Sequence, residues 1–297
     1  MKEVVYLLVH FNDFDLTKKC IDHLLKLENK NDINITIVCV DNCSTNNSVN
    51  MLEETYNSCN QVYIAKNSKD ESYADGLNFG LKYIKNELCL NPMAIVTLNN
   101  DLFIEDIEFN DKLYEFICEN EDYDIICPDI RTGEKRRPQN PLRAKPHSTS
   151  HIYKLYIYSR ICIFLTYIPI IRKYVGRKFR KSSIVNTKIT NELIDFDYTS
   201  FIPHGACIIY RPNWFNNNDY LLISIGFHCG EEEIFYEYLY DYKMIFAKNL
   251  QVFHVGEGTI GNQVGRNISY KKVRELYSRT YKSCKYIYKL RKQHKKR

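Results

Sequence analysis

Short apolar runs alternate with helix-spaced apolar residues along the first hundred positions. The runs have the length of buried strands and lie at Val4–Val9, Ile33–Val40, Val62–Ala65 and Ala94–Leu98. Between them, apolar residues recur every three or four positions from Leu16 to Leu25, from Met51 to Tyr56 and from Tyr73 to Ile84, with Asp13 or Asp15 placed to cap the first helix. Alternating strands and helices predict an α/β fold with a mostly parallel central sheet and helices on both faces.

Polar residues follow three of these strands directly. They come after Val9, after Val40, in the loop that begins with Asp41, and after Leu98, in Asn99-Asn100-Asp101. In open parallel sheets, ligands bind outside the carboxyl ends of the strands. We therefore expect the three loops to converge on one crevice.

The composition changes between about residues 131 and 200, which are basic and contain the aromatic stretch Ile152–Ile171. The stretch is about as long as a membrane span, but Lys154 and Arg160 interrupt it and Pro169 lies near its end. Because a charge at the centre of a bilayer costs a few kcal/mol, the pattern favours a helix lying in the membrane interface. An ordinary buried helix and a membrane span are the alternatives.

The remaining pattern predicts further elements. Ala206–Tyr210, Met244–Ala247 and Val252–Val255 have the apolar character of strands, and Glu231-Glu232-Glu233 opens an aromatic helix. The tail from Lys271 predicts a basic helix with interleaved tyrosines.

Charge is distributed unevenly along the chain. The formal net charge is +5, but residues 131–181 hold fourteen Lys/Arg and one acidic residue, and residues 271–297 hold twelve Lys/Arg and one acidic residue. The rest of the chain is therefore acidic. An acidic body with two basic elements predicts a soluble domain that docks on an anionic partner.

The cysteines and the N-terminal residues indicate a compartment. There are eleven cysteines, none in a C-x-x-C pair, and most lie in apolar runs. This usage predicts reduced thiols in the cytosol rather than disulfides or a zinc site. The first apolar run has six residues, too few for a secretory signal, and is interpreted as a strand.

Four groups of residues have candidate chemistry, and each also has an ordinary structural interpretation. Asp41 suits a nucleobase or ribose contact, or a helix cap. Asn99-Asn100-Asp101 suits a divalent cation bound to phosphates, or a turn. The glutamates at 231–233 suit a general base or a solvated first helical turn, and His254 suits a metal or phosphate contact or a structural role.

The order of these motifs resembles that of the family-2 glycosyltransferases, from Val4 to about Gly258 and excluding much of 138–195. VDNCSTNNS (40–48) resembles the family's V-D-N/D-x-S-T-D-x-S, YADGLNFG (73–80) its G-x-a-x-a-x-N-x-G helix start, and LNND (98–101) its D-x-D motif. HGACIIYR (204–211) resembles the strand before the acceptor loop, and GEEE (230–233) the E-D motif. Asn99 replaces the first Asp of D-x-D, and a Glu replaces the Asp of E-D.

The resemblance implies roles for particular residues. It implies that Glu232 is the general base, with Glu231 and Glu233 as the other members of the acidic motif. It implies a Mg²⁺ or Mn²⁺ ion at Asp101 and His254, and an acceptor side at His204 and Gly205. The implied nucleotide-sugar contacts are His10, Asn12, Asp41, Asn42, Ser44, Asn78, Asn99 and Asn100.

The resemblance implies a GT-A fold and an enzyme that transfers a sugar with inversion to a hydroxyl of a glycan or lipid-linked glycan. The implied donor is a UDP-sugar, or a dTDP-sugar such as dTDP-rhamnose. The implied role is cell-surface polysaccharide synthesis. We expect a catalytic domain at 1–265 with a basic, aromatic insertion at about 138–198, and a basic helix at 266–297. The basic elements predict a cytoplasmic protein, peripheral on the anionic inner face of the plasma membrane. A sugar-nucleotide nucleotidyltransferase and a nucleic-acid-binding protein are the alternatives, and we expect no nucleic-acid partner.

Overall fold

A computed structural model describes residues 2–68, 72–168, 196–223, 231–255 and 270–294. The strands are β1 Glu3–His10, β2 Asn34–Asp41, β3 Val62–Lys66, β4 Ala94–Asn99, β5 Leu102–Phe103, β6 Ile125–Thr132, β7 Arg137–Pro138, β8 Cys207–Tyr210 and β9 Met244–His254. The helices are α1 Phe14–Leu24, α2 Ser48–Tyr56, α3 Tyr73–Asn86, α4 Phe109–Glu119, α5 Thr149–Leu165, α6 Pro212–Asn217, α7 Glu231–Tyr238 and α8 Tyr270–His294, and a 3₁₀ turn spans Leu239–Asp241.

The strands form one mostly parallel sheet in the order β3-β2-β1-β4-β8-β6-β9-β5, with β7 paired to β6. The first four strands of this order are parallel, as are β6 and β9, whereas β8 runs antiparallel between β4 and β6. The α/β fold that the sequence pattern predicts is confirmed.

Helices cover both faces of the sheet, and alternate residues of β1 contact the two layers. Tyr6 and Leu8 pack in the cluster that contains residues of α1, α2 and α4. Val5 and Leu7 pack in the cluster that contains residues of α3, α6 and α7. Because both faces are buried, the central strands read as continuous apolar runs in the sequence.

The sequence pattern does not predict two elements of the fold, β6 and α4, and it divides a third element in two. The two runs predicted at Met244–Ala247 and Val252–Val255 form one strand, β9, whose register against β6 shifts after Pro128. The exposed Lys248 and Asn249 lie at that irregularity, and these two polar residues interrupt the apolar pattern of the strand.

Asp13 caps α1, since its Oδ1 accepts a hydrogen bond from the N–H of Leu16.

The aromatic stretch and the basic tail form an antiparallel pair of helices, α5 and α8. Tyrosines of α5 contact tyrosines of α8 along the pair: Tyr153 with Tyr288, Tyr156 with Tyr281, and Tyr158 with Tyr277. The interleaved tyrosines of the tail therefore pack against α5. The alternative interpretation of the tail as a nucleic-acid-binding element does not predict this packing. Among the described residues, no helix combines the length and the apolar character needed to cross a bilayer. Residues 169–171 of the predicted aromatic helix lie outside the described ranges.

Candidate active site

Three loops meet at the carboxyl edge of the parallel strands, as the sequence predicts. His10 of β1 lies opposite Asp41 of β2, and Val9 lies opposite Asn99 of β4. A chain of hydrogen bonds links the loops further: Asn100 donates to Thr17 Oγ1 at 3.0 Å, and the same oxygen lies 2.8 Å from His10 Nδ1. The sheet therefore places the loops after β1, β2 and β4 side by side.

The loops after β1 and β2 are joined by hydrogen bonds around Asp41. Asn12 has a φ of 61°, a conformation that Asn tolerates better than most residues. Its N–H donates to Ser44 Oγ at 2.9 Å, and its Oδ1 accepts from the N–H of Thr45 at 2.8 Å. The N–H of Ser44 lies 3.3 Å from each carboxylate oxygen of Asp41, and Asn42 accepts from Asn67 at 3.1 Å. The residues of these loops that are predicted to bind the nucleotide sugar therefore form one connected group: Asn12, Asp41, Asn42 and Ser44.

Two residues predicted to contact the nucleotide sugar have hydrogen-bond partners within the protein. His10 is fully buried, and its ring nitrogens lie 2.8 Å from Thr17 Oγ1 and 2.7 Å from Ser48 Oγ. Burial lowers the pKa of His10, which favours the neutral ring. Asn78 donates to the carbonyl of Leu222 and accepts from the N–H of Leu221, both at 2.8 Å. These placements argue against direct donor contacts by His10 and Asn78, because their polar atoms already have protein partners.

Asp101 and His254 lie together, as a shared cation site requires. The pairing of β5 with β9 places Leu102 opposite His254, and His254 Nε2 lies 2.9 Å from Asp101 Oδ2. His254 Nδ1 lies 2.7 Å from Gln139 Oε1. With the Nδ1–H donating to Gln139 Oε1, the Nε2 lone pair and the Asp101 carboxylate face each other, an arrangement that requires a proton or a cation between them.

These residues fit a divalent cation that takes most of its ligands from elsewhere. Among the described residues, Asp101 Oδ1 is buried and has no hydrogen-bond partner, so it is available as a ligand. No group of three or more His, Cys, Asp or Glu within those residues is arranged to enclose a metal ion. A Mg²⁺-type ion keeps several waters and binds through one or two protein ligands plus phosphate oxygens, which suits this sparse donor set. Asn99, the departure from D-x-D, ends β4, and its N–H donates to the carbonyl of Ala206.

The predicted acceptor-side residues lie beside this pair. The rings of His204 and His254 are 6.2 Å apart between centroids. Burial, and next the neighbouring His254, lower the pKa of His204 to about 4, against the opposing effect of Asp101. His204 is therefore neutral at pH 7. Its Nδ1 accepts from the N–H of Ala206 at 3.2 Å, so its Nε2 carries the proton.

Glu232 is brought against Gly205 by the start of α7. A Cβ atom at position 205 would lie 3.3 Å from Glu232 Oε1, so the glycine makes room for the carboxylate. Burial raises the pKa of Glu232, whereas hydrogen bonds from its own N–H and from that of Gly205, and the nearby Arg143, act in the opposite direction. A carboxylate with a raised pKa is the better proton acceptor, as general-base catalysis requires.

Glu233, the alternative base, has a different environment. It is buried, and Arg143 Nη2 lies 2.5 Å from its Oε2. Arg291 Nη2 lies 3.1 Å from its Oε1, which also accepts from the N–H of His147 at 2.8 Å. Both oxygens of Glu233 are thus engaged by guanidinium groups and a backbone N–H, so this placement argues against a catalytic role for Glu233. Glu231 begins α7, and its side chain lies outside the described part of the structure.

Three site residues were not predicted, and all come from the first residues of the expected insertion. Gln139 contacts His254, and Arg143 contacts Glu233. Asn140, which is buried, accepts from the N–H of His204 at 3.0 Å and donates to the carbonyl of Pro128 at 2.6 Å. The only signal in the sequence was a pair of amides between Pro138 and Pro141. The first residues of the segment predicted as an insertion within the catalytic domain therefore contact residues of the predicted acceptor side.

Comparisons with known proteins agree with this fold. The crystal structure of S. aureus TarS 1-349 in complex with UDP-GlcNAc is similar, with a TM-score of 0.54 and 15% sequence identity, covering 94% of this chain and 66% of that one. The TarS 1-349 complex with UDP has a TM-score of 0.52 and 14% identity, covering 93% and 70%. A longer TarS structure has a TM-score of 0.52 and 13% identity, and the match covers 95% of this chain but 43% of that one.

At these identities the TarS structures establish the fold alone, and the chain spans about two thirds of the shorter TarS segment. No curated protein matches the chain. The model of the family described as Glycosyl transferase family 2 matches residues 7–216, which is well over half of the chain and includes Asp41, Asp101 and Gly205. The chain therefore belongs to glycosyl transferase family 2.

Proposed function

We propose that the protein transfers a sugar, with inversion, from a nucleoside diphosphate sugar to a hydroxyl of a glycan or lipid-linked glycan in cell-surface polysaccharide synthesis. UDP-sugars are the first choice of donor and dTDP-sugars the second. The proposal rests on a series of neighbouring residues at the edge of the sheet where the loops predicted to bind the nucleotide sugar also lie. These residues are Asp101, His254, His204, Gly205 and Glu232. The TarS complexes with UDP-GlcNAc and UDP support a nucleotide-sugar donor for this fold.

In this mechanism the loops after β1 and β2 hold the nucleotide, and Asp41 accepts hydrogen bonds from the base or the ribose. A Mg²⁺ or Mn²⁺ ion held by Asp101 and His254 would offset the charge of the leaving diphosphate. Glu232 accepts the proton of the acceptor hydroxyl as its oxygen attacks the anomeric carbon from the face opposite the leaving group. The bond from that carbon to the diphosphate breaks, and the product has the inverted configuration.

The test is the turnover of a nucleotide-sugar panel by Glu232→Gln and Asp101→Ala. We expect Glu232→Gln to lose about 10²–10⁴ in kcat, the usual contribution of a positioned base, while still binding UDP. Glu54→Gln, an exposed glutamate on α2, is the matched control and retains wild-type turnover. Near-wild-type turnover in both site variants would overturn the proposal.

We also propose that the protein binds the anionic inner face of the plasma membrane through the outer side of α5. Three large apolar side chains on and just after α5 are exposed: Ile161, Phe164 and Tyr167. Tyr153 and Tyr158 are also partly exposed, although they contact tyrosines of α8. Phe164 is 67% and Ile161 51% exposed. The exposed Lys154 and Arg160 flank them, and Lys285, Lys289 and Lys292 are exposed on α8. An apolar helix face edged with cations is typical of interfacial helices.

Sedimentation with vesicles of phosphatidylglycerol and phosphatidylcholine tests this surface. We expect binding at low salt that weakens at high salt and with decreasing phosphatidylglycerol. The double variant Ile161→Ser/Phe164→Ser loses binding, whereas Ile107→Ser, a change at a residue that is 49% exposed elsewhere, keeps it. Equal recovery of all three proteins in the supernatant at low salt would remove the membrane proposal.

A further inference from the structure

Arg291 connects the C-terminal helix α8 to the helix that carries Glu232. Its side chain is 13% exposed, and its Nη2 lies 3.1 Å from Glu233 Oε1 and 2.6 Å from Glu237 Oε1, both on α7. Its Nη1 donates to the carbonyl of His147 at 2.5 Å. A residue of the basic tail thus reaches the buried side of α7.

Arg143 contacts the other oxygen of Glu233 and comes from a different part of the chain. It follows β7, and the N–H of Ile202, two residues before His204, donates to the Arg143 carbonyl at 2.9 Å. Glu233 is consequently held between one guanidinium from the acceptor side of the site and one from α8. Neither arginine takes part in the mechanism proposed above, although both reach the residue next to Glu232.

We propose that Arg143, Glu233 and Arg291 form a positioning cluster that fixes the start of α7 and sets the electrostatic potential at Glu232. Glu233 and Arg291 are largely buried and Arg143 is partly buried, and Arg143 and Glu233 act directly on the base. Losing one member leaves the others without a full set of partners and changes the charge that Glu232 faces. The inference rests on the proposed role of Glu232 as the base, and it makes α8 part of the catalytic unit.

The cluster predicts opposite effects for removal of its two kinds of charge. The groups that face Glu232 are the N–H of Gly205, Arg143 and Glu233, and His147 and Arg291 lie behind Glu233. Removing the Arg291 cation makes the local potential more negative, so Glu232 binds its proton more tightly. Removing the Glu233 anion leaves two cations and weakens proton binding. At separations of several ångströms and an effective dielectric constant between those of protein and water, each change moves the titration by roughly 0.5–1 pH unit.

The experiment compares the pH dependence of kcat for the wild type, Arg291→Met, Arg291→Lys and Glu233→Gln. Since Glu232 acts when deprotonated, we expect the acid limb to move to higher pH in Arg291→Met and to lower pH in Glu233→Gln, with Arg291→Lys close to the wild type. The KM for the donor stays constant in all of them. Arg279→Met, which removes a cation of the same helix that pairs with Glu275, is the matched control and shifts nothing.

A direct titration makes the test independent of activity. The carboxyl carbon of Glu232, assigned through Glu232→Gln in ¹³C-glutamate-labelled protein, is followed by NMR in the same variants. Shifts in one common direction, or equal loss of kcat at every pH with an unmoved titration, would overturn the cluster. If Arg291→Met fails to fold, Arg291→Lys and Glu233→Gln still decide the direction. Opposite NMR shifts together with an active Glu232→Gln would refute the proposed base and leave the electrostatic cluster standing.

Discussion

The donor side and the acceptor side of the site are built in different ways. On the donor side, Asn12, Asp41 and Ser44 belong to two loops that follow adjacent strands and bond to each other directly. On the acceptor side, Glu232 depends on Gly205, and the cluster beside it draws on Arg143 and Arg291. The difference teaches that a local motif can specify the group of residues on the donor side, whereas the proposed base is positioned by contacts between segments far apart in the chain.

Among the variants that test this comparison, the largest effect is expected for the support of the acceptor side. Asn140→Ala removes the acceptor for the N–H of His204 and the donor to Pro128, and an unpaired buried polar group costs about 1–3 kcal/mol. We expect a lower free energy of unfolding in urea and a reduced kcat, with UDP affinity unchanged. Asn216→Ala, at an exposed asparagine, is the control and changes neither. A loss of UDP affinity in Asn140→Ala alone would show that the two sides are not separable.

Asp41→Asn tests the donor side. Hydrogen bonds to a charged group contribute about 1.5–3 kcal/mol, so we expect UDP to bind roughly ten- to a hundredfold more weakly. Saturating donor restores kcat, because Glu232 and its partners are untouched. Isothermal titration calorimetry with UDP is the measurement. Unchanged affinity would remove Asp41 from the donor site.

Gly205→Ala is the complementary change. The new Cβ lies 3.3 Å from the present position of Glu232 Oε1, which obliges the carboxylate to move by a few tenths of an ångström. Small misplacements of a reacting group are costly, and we expect about a tenfold lower kcat with donor affinity preserved. Steady-state kinetics with the donor varied separates the two parameters. A kcat equal to that of the wild type would mean that Glu232 tolerates displacement and is not a positioned base.

The smallest effect is expected at Asn12, where one neutral hydrogen bond contributes about 0.5–1.5 kcal/mol. Asn12→Gly keeps the positive φ and loses the acceptor for Thr45, so we expect a severalfold rise in donor KM. Asn12→Ala adds backbone strain and raises KM further. Equal donor KM values for Asn12→Gly and Asn12→Ala would show that the positive φ at residue 12 does not contribute to donor binding.

The local pattern predicted the strands and loops of the donor side because their determinants are close in sequence. Strands buried on both faces appear as apolar runs, and the parallel order brings their terminal loops to one edge. The same approach assigned His10 and Asn78 to the donor because both lie in family-like motifs. The motifs do not show that the ring nitrogens of His10 contact Thr17 and Ser48. Nor do they show that the side chain of Asn78 forms hydrogen bonds with Leu221 and Leu222.

The acceptor half was predicted in outline only. The motif identified the glutamates, but the assignment among them depended on counting, whereas the structure distinguishes Glu232 beside Gly205 from Glu233 between two arginines. The composition predicted a basic, aromatic insertion at about 138–198 within the catalytic domain, but it gave no site role to Gln139, Asn140 or Arg143, which contact site residues in the structure. The basic tail suggested an anionic partner, while Arg291 and the tyrosines of α8 face the protein.

By itself the sequence determined the alternation of strands and helices, the edge at which polar loops gather, and the family, because each of these is encoded by neighbouring residues or by the order of motifs. Only the tertiary structure decided which polar atoms remain available in the site, which glutamate lies beside Gly205, and that α8 closes onto α7. Those outcomes depend on hydrogen bonds and ion pairs between residues as distant as Arg143 and Arg291, and such pairs leave no periodic trace along the chain.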